Sequence, residues 1–90
     1  MAKTDPPAKS DLMITPRQIR AARALIGWSQ QQLADKAIVS LNAVTRLERG
    51  EVDSRISTLT AVQKALTKAG VEFLSADTKG EGVRLINPKA

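Results

Sequence analysis

Apolar residues recur at helical spacing in four blocks of this chain, and two short β-leaning runs follow near its end. The first block is Ile19, Ala22, Leu25 and Ile26. It follows Thr15-Pro16-Arg17-Gln18, a compact helix start. Thr15 can cap, Pro16 sits where a missing N–H costs nothing, and Gln18 completes a capping box. Gly27 stops this helix in a left-handed conformation. Leu33, Ala34 and Ala37 give the inner face of a second helix. The capping box Ser29-Gln30-Gln31-Gln32 opens it, and it ends near Lys36 and Ala37. Ile38-Val39 make a corner, and Ser40 caps a third helix from Leu41 to Arg49, stopped by Gly50. A polar loop covers residues 51–56. Ser57 then caps a fourth helix, Thr58 to Ala69, with a stripe of Leu59, Val62, Leu66 and Ala69, ended by Gly70. Val71-Glu72-Phe73-Leu74 and Val83-Arg84-Leu85-Ile86 flank the turn-rich SADTKGEG and predict a β-hairpin. A lone hairpin is marginal in water. This one therefore packs on the helices, pairs with a second subunit, or frays.

The expected fold is mainly α, a domain of about four helices over residues 14–70. A hairpin extension and tail occupy 71–90, and a disordered arm, MAKTDPPAKSDLM, occupies 1–13. The arm has adjacent prolines and balanced charges. It reads as a solvated tail or as a segment for a minor groove. Met13, directly before the folded part, is a candidate alternative start.

Composition narrows the chemistry. Ninety residues suit one small domain with a thin core, and Trp28 and Phe73 are the only aromatics, so aliphatic and Ala side chains do the packing. The chain has no Cys and no His. That removes disulfides, thiolate or imidazole metal sites, and Ser/His or Cys/His catalysis. No nucleophile–base pair or phosphate loop is present either, so neither an enzyme activity nor a cofactor is expected. No apolar run is long enough for a membrane span and no signal-peptide core follows the start, so a cytoplasmic protein is expected. The formal net charge is +5. Residues 14–56 carry seven basic side chains against four acids, and residues 57–90 carry five against three. A basic balance of this kind favours a polyanionic partner.

The third helix sharpens that expectation. At about 100° per residue, Val44, Leu47 and Glu48 fall on one side with Ser40. Asn42, Thr45, Arg46 and Arg49 fall on the other, a face with an amide, a hydroxyl, two guanidiniums and no acid. Asn matches adenine and Arg matches guanine, each bidentately, and both reach phosphate. Leu41, at the boundary, either meets a thymine methyl or tucks into the core. The N-terminal end of such a helix leads into the major groove. The same pattern on its own also describes an amphipathic surface helix with solvated charges.

Residues 16–69 resemble the lambda-repressor-like helix-turn-helix family of the Xre/Cro type. The resemblance rests on RAARALIGWSQQQLA (Arg20 to Ala34), the Val39-Ser40 corner, and the Leu-Glu-Arg-Gly exit from Leu47 to Gly50. It implies that Gln30 binds phosphate through its side chain, helped by the helix N-terminus, with Gln31 contributing similarly. It implies that Leu41, Asn42 and Arg46 read bases, that Ser40 belongs to the same DNA-binding set, and that Thr45 and Arg49 touch backbone or flanking bases. Arg55 is the candidate for phosphate contact after Gly50, where Val52 and Asp53 stand in place of basic residues. Arg23 and Glu48 match a structural ion pair of the family. Two departures stand out. Ile38 occupies the corner position usually held by Gly, so the corner is either built differently or strained. A hairpin also replaces the fifth helix of many relatives, so family dimer geometry does not transfer.

The resemblance implies a sequence-specific regulator of transcription that binds double-stranded DNA. It would act as a homodimer, because one helix reads too few base pairs. Val71, Phe73, Leu74, Val83 and Leu85 are the candidate dimer or partner contacts, with Phe73 as anchor and intramolecular packing as the alternative. A second reading is an antitoxin or anti-activator type module. It would hold a protein partner through the hairpin, with or without DNA binding.

Overall fold

The computed structural model describes residues 14–51, 55–75 and 80–86. Among them lie helices α1 (Pro16–Ile26), α2 (Gln30–Ala37), α3 (Leu41–Glu48) and α4 (Ile56–Lys68), then strands β1 (Val71–Leu74) and β2 (Gly82–Leu85). The arm over 1–13 with Met13, the loop residues Val52 and Asp53, and residues 76–79 and 87–90 lie outside the described residues.

Both capping boxes form. Gln18 N–H donates to Thr15 Oγ1 at 3.1 Å, and Thr15 N–H donates to Gln18 Oε1 at 2.9 Å. The matching distances for Gln32 and Ser29 are 3.0 and 2.8 Å. Ser40 caps α3 by accepting from Ala43 N–H at 3.0 Å. The fourth helix departs from expectation. It opens at Ile56 with Arg55 at the N-cap and no side-chain cap bond. Ser57 therefore lies inside the first turn. The earlier start adds the backbone bond from Leu59 N–H to Arg55 O, at 3.1 Å. A capping side chain is a local preference of about 1 kcal/mol, which such context overrides.

The corner between α2 and α3 is not built differently. Ile38 takes φ 59° and ψ 51°, the left-handed conformation a glycine would take. It is the one non-glycine with positive φ among the described residues. Its side chain is 89% exposed, so no packing offsets the strain. That strain is on the order of 1–2 kcal/mol.

The core joins all four helices to the first strand. Ile19 and Ala22 of α1 meet Leu33, Ala34 and Ala37 of α2, Val44 and Leu47 of α3, and Val62 and Leu66 of α4. Leu25, expected on the inner stripe, is instead exposed. At 100° per residue it stands well to one side of the line through Ile19, Ala22 and Ile26.

The hairpin lies on the helices. Its register pairs Val71 with Leu85 and Phe73 with Val83 on one face, and Glu72 with Arg84 and Leu74 with Gly82 on the other. Val71 is 1% exposed and belongs to the core, while Phe73 and Val83 pack against it. Buried Gln18 closes the joint. Its amide nitrogen donates to Leu74 O at 3.0 Å and to Gly82 O at 2.9 Å, while its oxygen completes the α1 cap. Every hydrogen-bonding group of that side chain but one lone pair is thereby used. Beside it, Glu81 accepts from Arg17 Nε at 2.8 Å and from the Thr15 hydroxyl at 3.0 Å. The Arg17 guanidinium and then the Thr15 hydroxyl hold the Glu81 carboxyl below the usual range, against an opposing push from desolvation.

Candidate nucleic-acid interface

The position of α3 is set by one carboxylate. Glu48, in its last turn, is 3% exposed. Arg23 of α1 meets it bidentately, Nε to Oε2 at 2.6 Å and Nη2 to Oε1 at 2.9 Å. The remaining Arg23 nitrogen donates to Trp28 O at 3.0 Å. Arg20 donates to the backbone carbonyl of Glu48. Gln30 of α2 adds its amide, Nε2 to Glu48 Oε1 at 3.0 Å. Helices α1, α2 and α3 are therefore tied at a single buried acid. A buried charge of this kind is stable only with such complete satisfaction.

With Val44, Leu47 and Glu48 facing inward, α3 turns its other side to solvent. Leu41, Asn42 and Arg49 are exposed, and Thr45 and Arg46 are half-buried. Leu41 thus lies on the outer surface rather than in the core. The Thr45 hydroxyl donates to Leu41 O at 3.1 Å, which leaves its oxygen able to accept. The Ser40 oxygen is occupied as the α3 cap, and its O–H remains a donor. In α2, Gln31 Nε2 donates to Asp35 Oδ1 at 3.0 Å, one turn along the same surface. Gln30 has given one N–H to Glu48, and its amide nitrogen carries a second. Arg55 is exposed at the start of α4.

The expectation of an acid-free face needs correction. Glu51, just past Gly50, accepts from Arg46 Nε through Oε1 and from Arg49 Nη1 through Oε2, both at 3.0 Å. Backbone geometry puts it there. Gly50 takes φ 75° and reverses the chain. Gly50 N–H then bonds Leu47 O at 3.1 Å, and Glu51 N–H bonds Arg46 O at 3.2 Å. These are the two bonds of a Schellman motif, which sets the second residue past the helix beside the third from its end. The sequence signal was the Gly stop itself, read one residue further on. A helical plot ends at Gly50 and omits Glu51.

A family model described as helix-turn-helix matches residues 19–73, more than half of the chain. The chain belongs to this helix-turn-helix family, of the Xre/Cro type. It is a DNA-binding family. The matched span covers α1 from Ile19 through Phe73 of β1, so the second strand of the helix-turn-helix protein's hairpin lies beyond it. No curated protein matches the chain by sequence. Among the described residues no helix is long and apolar enough to cross a membrane. No group of three or more His, Cys, Asp or Glu in those residues is placed to hold a metal ion.

Proposed function

We propose that this chain is a cytoplasmic, sequence-specific regulator of transcription that binds double-stranded DNA as a homodimer on two half-sites. The carrying observation is the two-sided use of α3. Its inner side is locked by Val44, Leu47 and the Arg23–Glu48 pair, and its outer side offers Leu41, Asn42, Arg46 and Arg49. Asn42 and Arg46 would read adenine and guanine edges, and Leu41 a thymine methyl. Gln30, Gln31, Ser40, Thr45, Arg49 and Arg55 would hold the sugar-phosphate backbone and so set the register. One helix reads only a few base pairs, which is the reason for two copies. Val71 is spent inside the monomer, so a partner subunit would meet the hairpin through its half-buried Leu74 and Leu85 and beside them.

Selection of bound duplexes from a random pool, with the stoichiometry of the selected complex, tests this reading. It supports the proposal if a palindromic site is enriched with two chains bound. In that complex, Asn42→Ala and Arg46→Ala should each lose about 1–3 kcal/mol of discrimination at one base pair, whereas Gln30→Ala should weaken all sequences alike. A chain that enriches no sequence, yet holds a protein partner through high salt, would overturn it.

A further inference from the structure

We infer that Glu51 is a specificity-determining residue of the DNA interface. It restrains Arg46 and Arg49 over the outer face of α3 and so weakens binding to duplexes of arbitrary sequence. This deepens the DNA-binding reading above and rests on it.

Three observations carry the inference. The first is that the carboxylate is placed by the backbone. In a Schellman motif the two side chains brought together usually make an apolar contact. Here they are Glu51 and Arg46, and the contact is an ion pair at 3.0 Å. The second is that the acid does nothing for the helix it follows. A negative charge beyond a helix C-terminus opposes the helix dipole. What offsets that cost is the pair of guanidiniums, Arg46 on one carboxylate oxygen and Arg49 on the other. The third is that the site is open. The Glu51 side chain is 34% exposed and Arg49 is 62% exposed, so both are open to solvent and to an approaching anion.

These features bear differently on the two ways a duplex can bind. Contact with arbitrary DNA depends on the number of phosphates neutralised, and long basic side chains swing to reach them. Glu51 leaves the two arginines one net positive charge instead of two and must be released before either swings away. Contact with a cognate site needs Arg46 to enter the groove in one arrangement, and a restrained side chain loses less freedom in doing so. The acid therefore penalises phosphate contact in general more than base reading.

The test uses Glu51→Gln in the full chain, which keeps the shape and the backbone bond of the motif while removing the charge. Glu51→Ala serves as a second variant. Each is compared with the parent on the selected operator and on a scrambled duplex of equal length, between about 50 and 200 mM salt. Binding of the variants to the scrambled duplex should tighten roughly tenfold near 0.1 M salt for each additional phosphate neutralised, with a salt slope steeper by about one to two. Operator binding should change less, so the ratio of operator to scrambled affinity falls about tenfold. The inference is overturned if the scrambled-duplex affinity and slope are unchanged, or if both duplexes bind more tightly by the same factor. If the parent binds neither duplex, the DNA-binding reading itself has failed and the inference with it; the parent's own binding tells the two failures apart.

Discussion

Two acids close to each other in the chain, Glu48 and Glu51, are each held by arginine, and they do opposite things. Glu48 is sealed between α1, α2 and α3, with Arg23 forked onto it and Gln30 alongside. Glu51 sits past the end of α3, in reach of water, with Arg46 and Arg49 leaning onto it. Distances and partner types are similar. Burial separates them: 3% exposure against 34%. A sealed pair cannot exchange its partner for water, so losing one member strands a charge. An open pair exchanges partners readily and adds little stability, but it governs what else its arginines can touch. The same chemistry thus becomes scaffold in one place and interface in the other.

Unfolding of Glu48→Gln in urea is the most severe way to break this contrast. Stranding Arg23 should cost on the order of 3–5 kcal/mol, a large part of the roughly 5–15 kcal/mol that holds such a domain together. Glu51→Gln in the same assay should lose no more than about 1 kcal/mol. Equal losses would mean that burial is not what separates the two. Next in size is Gln18→Ala. It removes the donor to Leu74 O and Gly82 O and the acceptor for Thr15 N–H. A loss of about 2–3 kcal/mol is expected from the stranded groups, with hairpin amides exchanging fastest. Ile38→Gly works in the other direction. It relieves the left-handed strain, less the greater freedom glycine has when unfolded, for a net gain of about 0.5–1 kcal/mol. The melting point should rise by a few degrees, and a fall would show that exposed Ile38 has a packing role.

The smallest effect concerns Glu81, a carboxylate intermediate in exposure between Glu48 and Glu51 but paired with a more exposed arginine, Arg17. Its carboxyl is held below the ordinary value of 4.5, first by Arg17 and then by Thr15. The sign follows from that depression. The contribution to hairpin docking is present above the unfolded value and is lost as pH falls through the lower folded one. Amide exchange of β1 and β2 should quicken as pH falls below about 4.5, and Arg17→Ala should flatten that pH dependence, because it removes the main cause of the Glu81 depression.

What was legible in the chain was what lies close together along it. Thr15 with Gln18, Ser29 with Gln32, and the stops at Gly27 and Gly50 are contacts or dihedrals within a few residues, so spacing reveals them. The Arg23–Glu48 tie is 25 residues apart and came through family likeness, not spacing. The hairpin's place on α1 was hidden for the same reason, since Gln18 reaches partners 56 and 64 residues away. Ser57 misled because a good capping residue lay beside a start that the backbone extended to Ile56. Glu51 was missed although it is local, because periodicity describes a helix and is silent about the turn that ends it.

Gln18 has one more consequence. A single amide side chain closes the first turn of α1 and holds the loop end of the hairpin, where β1 ends and β2 begins. Lifting the hairpin withdraws both of its carbonyls from that amide and loosens the side chain that caps the helix. The earliest and latest described elements should therefore open as one cooperative unit, with matched free energies of amide exchange in the first turn of α1 and in β1 and β2. In this small protein the two ends of the fold share a latch.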